Sequence, residues 1–243
     1  IYSLFVFIFF SMAIMTPLVH IYLLIGKITE RKKYNLHRIL NFAAKFVIRY
    51  HGIPGIRYTE SNPNGETYKK PAVIICNHQS HLDLMPLLAQ TEKLVILTAD
   101  WVWNNPIYRF TIRNAEFLPA SKGVEVIIPQ LQSLIDRGYS IAIYPEGTRS
   151  SDCSIGRFHK GAFYVAQELG VDVIPLILYG TGKALPKHGR LLNKWPAHLE
   201  IDKRISPSEM KMYGETLQQQ AVAMRKYYQK RYSEIANKIE QNV

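Results

Sequence analysis

Short apolar runs alternate with stretches of helical periodicity along most of this sequence, and that alternation limits the possible folds more than any other feature. The apolar runs cover residues 72–76, 94–98, 141–144, 173–178 and 198–202. Helical patterns lie between several of them, at residues 83–90, 124–137 and 161–169. Continuous apolar runs bounded by turn residues are typical of strands that are buried on both faces. The alternation therefore predicts an α/β domain with a mostly parallel sheet flanked by helices.

The N-terminal segment has a different character, because residues 1–26 contain no Asp, Glu, Lys or Arg. About 20 apolar residues suffice to cross the hydrocarbon of a bilayer as a helix, so the segment predicts a membrane helix. Pro17 interrupts the pattern and an amphipathic stretch follows at 36–50, which equally favours a half-embedded hairpin. A signal peptide is disfavoured by the lack of a basic start and of a clear cleavage site. We expect residues 1–50 to be membrane-embedded or interfacial.

The next stretch of the chain is basic and has Glu30 as its only acidic residue. Its basic residues are Lys27, Arg31, Lys32, Lys33, Arg38, Lys45 and Arg49. Flanks of this kind stay on the cytoplasmic side, close to anionic headgroups. We therefore expect the folded part of the chain to lie at the cytoplasmic face of a membrane.

The whole chain carries 30 Lys and Arg against 19 Asp and Glu, a formal charge of +11. Such an excess favours an anionic partner: a phospholipid surface, an acidic carrier protein or nucleic acid. The excess is concentrated beside the apolar segment and near the C-terminus, without an RNA-binding or zinc-finger signature, so we expect no nucleic-acid partner. The two cysteines, Cys76 and Cys153, suggest neither a disulfide framework nor a Cys-rich zinc site.

Gly, Pro and Asn between residues 52 and 71 separate the membrane segment from a main domain that we place at residues 51–243. Near its end, Ser206 and Glu209 form a capping box that predicts a helix start. Apolar residues then repeat at helical spacing and mark a face expected to pack on the domain: Leu217, Ala221, Met224, Tyr228, Ile235 and Ile239.

The stretch NHQSHLD, residues 77–83, places titratable groups directly after the first apolar run. On one helix, His78 and Asp83 would be separated by roughly 140° and could not meet. If the strand ends at Cys76 and a helix begins near Ser80, His78 instead folds back over the helix N-terminus toward Asp83. An imidazole that is held by a carboxylate is a general base with its orienting partner.

Two other interpretations of this stretch remain open. Ser80 and Asp83 also fit a capping pair at a helix start, which would make the aspartate structural. His78, His81 and Asp83 are ligand types for a metal, but no further ligand clusters with them in the sequence, so we expect no metal site.

The stretch PEGTRSS, from Pro145 onward, follows another strand run at the end where α/β sheets collect their ligands. Gly147 permits a tight turn close to a ligand, and Arg149 offers a planar fork suited to phosphate or carboxylate. A salt-bridged surface turn is the alternative, since turns are rich in such residues.

Together, NHQSHLD, PEGTRS and the later VIPLIL resemble the PlsC-like family of lysophospholipid and glycerol-3-phosphate acyltransferases, over about residues 70–205. The stretches ICNHQSHLDLM, WVWNNP and EGTRSSDCSIGRFHKGAFY further resemble the acyltransferase segment of bacterial proteins that fuse it to an MMPL-type lipid exporter and a methyltransferase. This second resemblance implies a bacterial inner-membrane location and a chain excised from a longer one, which fits its start at Ile rather than Met.

The family resemblance implies acyl transfer from a thioester, on acyl-carrier protein or coenzyme A, to the hydroxyl of a lysolipid in a membrane, without a further cofactor. His78 and Asp83 would be the catalytic pair. The residues implied in substrate binding are Asn77, Ser80, Lys122, Glu146, Gly147, Thr148, Arg149 and Pro175, with Pro175 in a run that would line the site near the acyl chain.

One departure from the family pattern concerns the acceptor headgroup. Family members that use glycerol phosphates usually carry an arginine in a second motif, and Ala120 stands at that position here. Lys122, Arg157 and Lys160 are possible substitutes, but a lysine does not replace a bidentate partner conservatively. The departure predicts weaker use of lysophosphatidic acid than of some other lysolipid. A lipid-binding or scaffolding domain without turnover, within a larger exporter fusion, is the alternative function.

Overall fold

A computed structural model describes residues 19–51, 56–106, 109–189 and 191–241 of the chain. Within these ranges the predicted apolar runs form the centre of a seven-stranded sheet in the order β1-β7-β6-β2-β5-β3-β4. The strands are β1 (Tyr58–Ser61), β2 (Ala72–Cys76), β3 (Leu94–Thr98), β4 (Leu118–Pro119), β5 (Ser140–Ile143), β6 (Asp172–Tyr179) and β7 (Ala197–Ile201).

The central strand β2 pairs in parallel with both β5 and β6. Its Ile75 lies opposite Ile143 of β5, so the polar residues that follow the two strands emerge side by side. All residues of β2, β5 and β6 are buried, as expected for a parallel sheet that is covered on both faces. The predicted α/β architecture with a mostly parallel sheet is therefore confirmed.

The direction of the chain reverses after β6, because β7 pairs with β6 in antiparallel fashion. The register sets Tyr179 opposite His198, at the edge of the sheet where β2 and β5 also end. Residues 180–196, which connect β6 to β7, therefore begin and end at this same edge.

Helices flank the sheet, and the predicted patterns at 124–137 and 161–169 are confirmed as α5 and α6. The α-helices are α1 (Glu30–Phe46), α2 (Leu84–Leu88), α3 (Asp100–Asn104), α4 (Arg109–Asn114), α5 (Val124–Asp136), α6 (Gly161–Glu168), α7 (Thr181–Ala184), α8 (Pro207–Met210) and α9 (Leu217–Glu240). Before α2, residues His81–Asp83 form one 3₁₀ turn, so the predicted helix at 83–90 is shorter and starts differently.

The C-terminal helix starts later than the sequence predicts. The capping box of Ser206 and Glu209 is present, but the helix that it begins ends at Met210. A second capping box, formed by Thr216 and Gln219, starts α9. The predicted apolar face of α9 does pack on the domain, and Tyr228 within it is fully buried and donates its hydroxyl hydrogen to the Ile75 carbonyl at 2.7 Å.

The sequence prediction missed β1 and β4. The run Tyr58–Ser61 is polar and only partly buried, as an edge strand can be, and it lies in the stretch that we interpreted as a linker. Strand β4 has only two residues, Leu118 and Pro119. Neither has the apolar length on which strand prediction depends.

Most of the predicted membrane segment, residues 1–18, lies outside the described residues. Residues 19–24 are helical and precede α1. In the part of the chain that is described, none of the helices combines the length and the apolarity needed to span a bilayer.

A buried histidine on α1 makes stability dependent on pH. His37 is 3% exposed, and its ring lies 4.9 Å from that of Tyr139 between centroids. Its Nε2 has no hydrogen-bond partner among the described residues. Burial lowers the pKa of His37 from 6.5 to about 4, because the uncharged ring is favoured in the folded protein.

We predict that the free energy of unfolding falls by about 2 kcal/mol between pH 7.5 and pH 5 because of this residue. The unfolded chain binds a proton below pH 6.5 whereas folded His37 stays neutral down to about pH 4, so stability is lost as the pH falls. Urea unfolding at both pH values should show a smaller difference in His37→Phe. The exposed His188 offers a control, and an equal effect of His188→Gln would contradict the assignment.

Candidate active site

Two loops meet at the end of the sheet that is formed by the carboxyl ends of the central strands β2 and β5. The first begins at Asn77 after β2, and the second begins at Tyr144 after β5. They are joined through His78, whose backbone N–H donates to Glu146 Oε1 at 2.8 Å and whose carbonyl accepts from the Ser150 N–H at 2.9 Å. The parallel register of the strands thus brings both predicted motifs into one site.

His78 and Asp83 lie in hydrogen-bond contact across the turn between β2 and the 3₁₀ turn, as the sequence predicts. His78 Nδ1 is 2.9 Å from Asp83 Oδ2. The carboxylate oxygen is an acceptor, so Nδ1 carries the hydrogen and Nε2 is left as the basic nitrogen. The His78 side chain is 22% exposed, whereas Asp83 is fully buried.

The Asp83 carboxylate also holds the turn itself. Its Oδ2 accepts from the backbone N–H groups of Gln79 at 2.7 Å and Ser80 at 2.9 Å. Ser80 is the N-cap, with extended backbone, and forms the capping box with Asp83. The two interpretations of Asp83 from the sequence are therefore not alternatives, because the same oxygen caps the helix and orients the imidazole.

The His78 ring stacks on the ring of Tyr144, with centroids 4.0 Å apart and an interplanar angle of 18°. The Tyr144 hydroxyl is buried without a partner among the described residues, and burial raises its pKa well above 10. The Tyr144 ring covers one face of the imidazole and so fixes its plane. This role is not predicted from the sequence, although Tyr144 directly precedes the PEGTRS stretch.

Glu146, which the sequence predicts to bind substrate, is held within the protein by backbone hydrogen bonds, and its substrate contact stays a prediction. Besides the His78 N–H, it accepts from the Gly156 N–H, through Oε2 at 2.7 Å. A Cβ atom at Gly156 would lie 2.7 Å from the same oxygen, so this close approach needs glycine. Glu146 is 5% exposed, and burial raises the pKa of its carboxyl. Oε1 thus joins the two loops, and Oε2 closes the second loop on itself.

Asn77 and Ser80, also predicted to bind substrate, are fully buried and bonded within the protein. The Asn77 side chain exchanges two hydrogen bonds of 2.8 Å with the backbone of Leu178 in β6. The Ser80 hydroxyl donates to the Leu185 carbonyl at 2.8 Å. This geometry favours a role for both residues in holding the loop in place, since their side-chain polar groups are already bonded within the protein.

Gly147, Thr148 and Arg149 lie at the surface of the second loop. Gly147 has a φ of +67°, which glycine adopts without strain, and its N–H closes a turn on the Tyr144 carbonyl. Thr148 is exposed and Arg149 is partly exposed. Arg149 Nη1 donates to the Lys187 carbonyl at 3.1 Å. These residues are open to a ligand.

The remaining predicted residues are spread more widely. Pro175 is buried inside β6, opposite Ile75. Lys122 is exposed in a 3₁₀ turn after β4, and Ala120 begins that turn. In the described part of the chain, no hydrogen bond joins Pro175 or Lys122 to the residues around His78, and their substrate contacts stay predictions.

His81 lies on the outside of the turn, with its ring edge-to-face with that of Trp101 at 5.9 Å between centroids. Partial burial lowers the pKa of His81, and the nearby positive charges of Arg149 and of protonated His78 lower it further. Among the described residues, no group of three or more His, Cys, Asp and Glu is placed to hold a metal ion.

Comparison with known proteins connects this geometry to a family. The sequence model of the family described as Acyltransferase matches residues 48–179. The chain is 33% identical over 155 residues to the chloroplastic 1-acyl-sn-glycerol-3-phosphate acyltransferase LPAT1 of Arabidopsis thaliana, covering 62% of this chain and 43% of that protein. It is 27% identical over 138 residues to the human 1-acyl-sn-glycerol-3-phosphate acyltransferase beta, covering 54% and 50%. The chain thus spans about half the length of these relatives or less.

A solved structure shares the whole fold. The crystal structure of PlsC, the 1-acyl-sn-glycerophosphate acyltransferase of Thermotoga maritima, superposes with a TM-score of 0.71 over 99% of this chain and 96% of that one. The identity is 18%, so this likeness concerns the fold alone. The predicted resemblance to exporter fusion proteins is not tested by these comparisons and stays a prediction.

We predict that Glu146→Gln lowers the free energy of unfolding by about 1–3 kcal/mol, because one oxygen that accepts from a backbone N–H becomes an amide donor. Hydrogen exchange should show faster opening at the His78 and Gly156 amides. Glu168 on α6 is exposed and gives a matched control. If Glu168→Gln destabilises the protein as much, the hydrogen bonds of Glu146 do not make the contribution to stability that we assign to them.

Proposed function

The chain belongs to the acyltransferase family, and from this premise we propose that it transfers a fatty acyl group from an acyl thioester to the free hydroxyl of a lysolipid such as 1-acylglycerol 3-phosphate. Family membership supports the reaction class. The names of the relatives support a glycerophosphate acceptor. Acyl-carrier protein and coenzyme A are the two donors that the chemistry allows.

The observation that carries the proposal is the contact of 2.9 Å between His78 Nδ1 and Asp83 Oδ2. A buried carboxylate that accepts from Nδ1 fixes the tautomer in which Nε2 is unprotonated. Nε2 is then the basic atom of a partly exposed side chain at the edge of the sheet, where α/β folds bind their ligands.

In the proposed reaction, His78 Nε2 takes the proton of the lysolipid hydroxyl as its oxygen attacks the thioester carbonyl carbon. The carbon–oxygen bond forms and the carbonyl oxygen becomes an oxyanion. Collapse of this tetrahedral intermediate breaks the carbon–sulfur bond. The thiolate leaves and receives the proton from the imidazolium, so that an ester and a free thiol result and no protein nucleophile is required.

Several neighbouring residues prepare His78 for this role. Asp83 stabilises the imidazolium by its charge, and the Tyr144 ring offers its face to the same cation. Glu146 acts on the backbone, because its bond to the His78 N–H fixes the start of the turn. These are positioning roles, and in the proposed reaction His78 is the group that touches the reacting atoms.

Arg149 is our proposal for binding the acceptor headgroup, together with the hydroxyl of Thr148 and the open turn at Gly147. The guanidinium is suited to phosphate oxygens, and its charge already acts on His81 at the mouth of the site. The names of the relatives are the ground for proposing lysophosphatidic acid as an acceptor. The expectation from Ala120, that another lysolipid is used better, stays a prediction.

We assign residues 1–50 to the membrane surface or interior and residues 51–243 to the catalytic domain, at the cytoplasmic face of the bacterial inner membrane. The support is the apolar N-terminal sequence with its basic flank. On α1, Phe42 is 70% exposed and its ring stacks on that of Phe46. Exposed aromatic rings beside basic residues suit the interface of an anionic bilayer.

A lipid-binding domain without turnover, inside a longer exporter fusion, is the alternative that the sequence raised, and it stays a prediction. The intact pair of His78 and Asp83 favours an enzyme. The variant His78→Ala separates the two, because an enzyme should lose its lipid product whereas a binding domain would keep its ligand.

We predict that His78→Ala lowers the rate of acyl transfer by about 10²–10⁴-fold, since the hydroxyl loses its general base. Purified protein in detergent would be offered lysophosphatidic acid with acyl-coenzyme A or acyl-carrier protein, and the ester product would be measured by mass spectrometry. His198 is a matched control, because it is also hydrogen-bonded, to Thr59 at 2.8 Å, but lies on β7. Full product formation by His78→Ala would reject the mechanism.

We predict that Phe42→Ser weakens association with anionic phospholipid vesicles by about tenfold, because burying the ring in the interface contributes roughly 1.5–3 kcal/mol. Vesicle sedimentation measures this. Val126 on α5 is 68% exposed and serves as the matched control. Equal losses for Phe42→Ser and Val126→Ser, or none for either, would contradict a membrane-facing α1.

A further inference from the structure

We infer that Lys187 is a second cation of the acceptor site, where it binds the phosphate monoester of the lysolipid headgroup beside Arg149. This rests on the proposed function and names a residue that the sequence motifs do not include. It assigns to the segment between β6 and β7 the charge that is missing at Ala120.

Lys187 both donates a hydrogen bond to the second loop and accepts one from it. Lys187 Nζ donates to the Thr148 hydroxyl at 3.2 Å, and Arg149 Nη1 donates to the Lys187 carbonyl at 3.1 Å. The ammonium group therefore lies beside the PEGTRS turn, on residues that are open to solvent. Both cations are only partly exposed.

The loop that carries Arg149 is hydrogen-bonded to the backbone of the proposed base. The residue after Arg149, Ser150, donates its N–H to the His78 carbonyl at 2.9 Å. The Arg149 charge also helps to lower the pKa of His81, which lies in the same turn as His78. A headgroup held by Arg149 and Lys187 would thus place the rest of a short glycerol backbone near His78.

The charge balance supports an anionic ligand here. Within the described ranges, neither Arg149 nor Lys187 forms an ion pair with a carboxylate. The other lysine of the same connection, Lys183, is paired with Glu240 on α9. A phosphate monoester carries a charge of about −1.5 to −2 at pH 7, so one guanidinium compensates it only in part and a second cation completes the match.

Lys122, the substitute that lies nearest to Ala120 in sequence, is less well placed. It is exposed in the turn after β4, and no hydrogen bond joins it to the first or the second loop in the described part of the chain. Lys187 reaches the site because β7 runs antiparallel to β6, which returns residues 180–196 to the edge where β2 and β5 end.

The test compares Lys187→Met, Lys187→Arg and Lys122→Met with the wild type, using two acceptors with the same acyl chain. Lysophosphatidic acid carries the phosphate, and monoacylglycerol lacks it. Methionine keeps the length of the side chain and leaves the backbone carbonyl that accepts from Arg149. Inhibition by glycerol 3-phosphate and its binding by calorimetry are measured alongside.

Lys187→Met should raise the KM for lysophosphatidic acid about ten- to hundredfold, as expected for the loss of a charge-assisted hydrogen bond, and weaken glycerol 3-phosphate binding similarly. The KM for monoacylglycerol should not change. Lys187→Arg should retain most of the affinity, and Lys122→Met, at the competing candidate, should raise the KM for lysophosphatidic acid less than Lys187→Met does.

The inference fails if Lys187→Met affects both acceptors equally, if it changes neither, or if Lys122→Met shows the selective loss instead. These outcomes are distinct from a failure of the proposed function. In that case the wild type would transfer no acyl group to any acceptor, while calorimetry with glycerol 3-phosphate would still decide whether Lys187 binds phosphate.

Discussion

One carboxylate oxygen, Asp83 Oδ2, organises the site on which the rest depends. It accepts three hydrogen bonds, one from the ring N–H of His78 and two from the backbone N–H groups of Gln79 and Ser80. The backbone bonds stop the strand from continuing and start the helical turn, while the ring bond sets the tautomer of the imidazole. Because Asp83 is fully buried, these donors replace the water that Oδ2 would bind in an exposed carboxylate, whereas Oδ1 has no hydrogen-bond partner among the described residues. The base and its loop are thus specified by the same atom.

Glu146 connects the second loop to the first loop, which Asp83 holds in place. Its two oxygens accept from backbone groups that lie on different loops, so the stretch from Tyr144 to Gly156 cannot move without disturbing His78. A carboxylate often found in such a motif invites a substrate-binding interpretation. Here its burial and its two bonds indicate that it positions other residues, and the open groups beside it are those of Thr148 and Arg149.

The sequence predicts the centre of the fold well, since the strands at 72–76 and 94–98 and the helices α5 and α6 have long or regular apolar patterns. It also predicts the contact of His78 with Asp83, because a helix that begins near Ser80 directly after the strand allows His78 to fold back toward the helix N-terminus. It does not predict β1, whose polar edge lacks a pattern, or the break before α9. The roles of Asn77 and Glu146 depend on partners at Leu178 and Gly156, far along the chain. No local spacing shows such pairings, and the same holds for Lys187.

The antiparallel return of β7 has a consequence for how such proteins can diversify. A parallel crossover would carry the chain to the opposite end of the sheet, whereas this antiparallel connection begins and ends at the same end of the sheet as the loop that carries the imidazole. The length and the charge of this connection can change during evolution without any change in the buried strands. The preference for one lipid headgroup over another can therefore evolve in this connection while His78 and Asp83 remain unchanged.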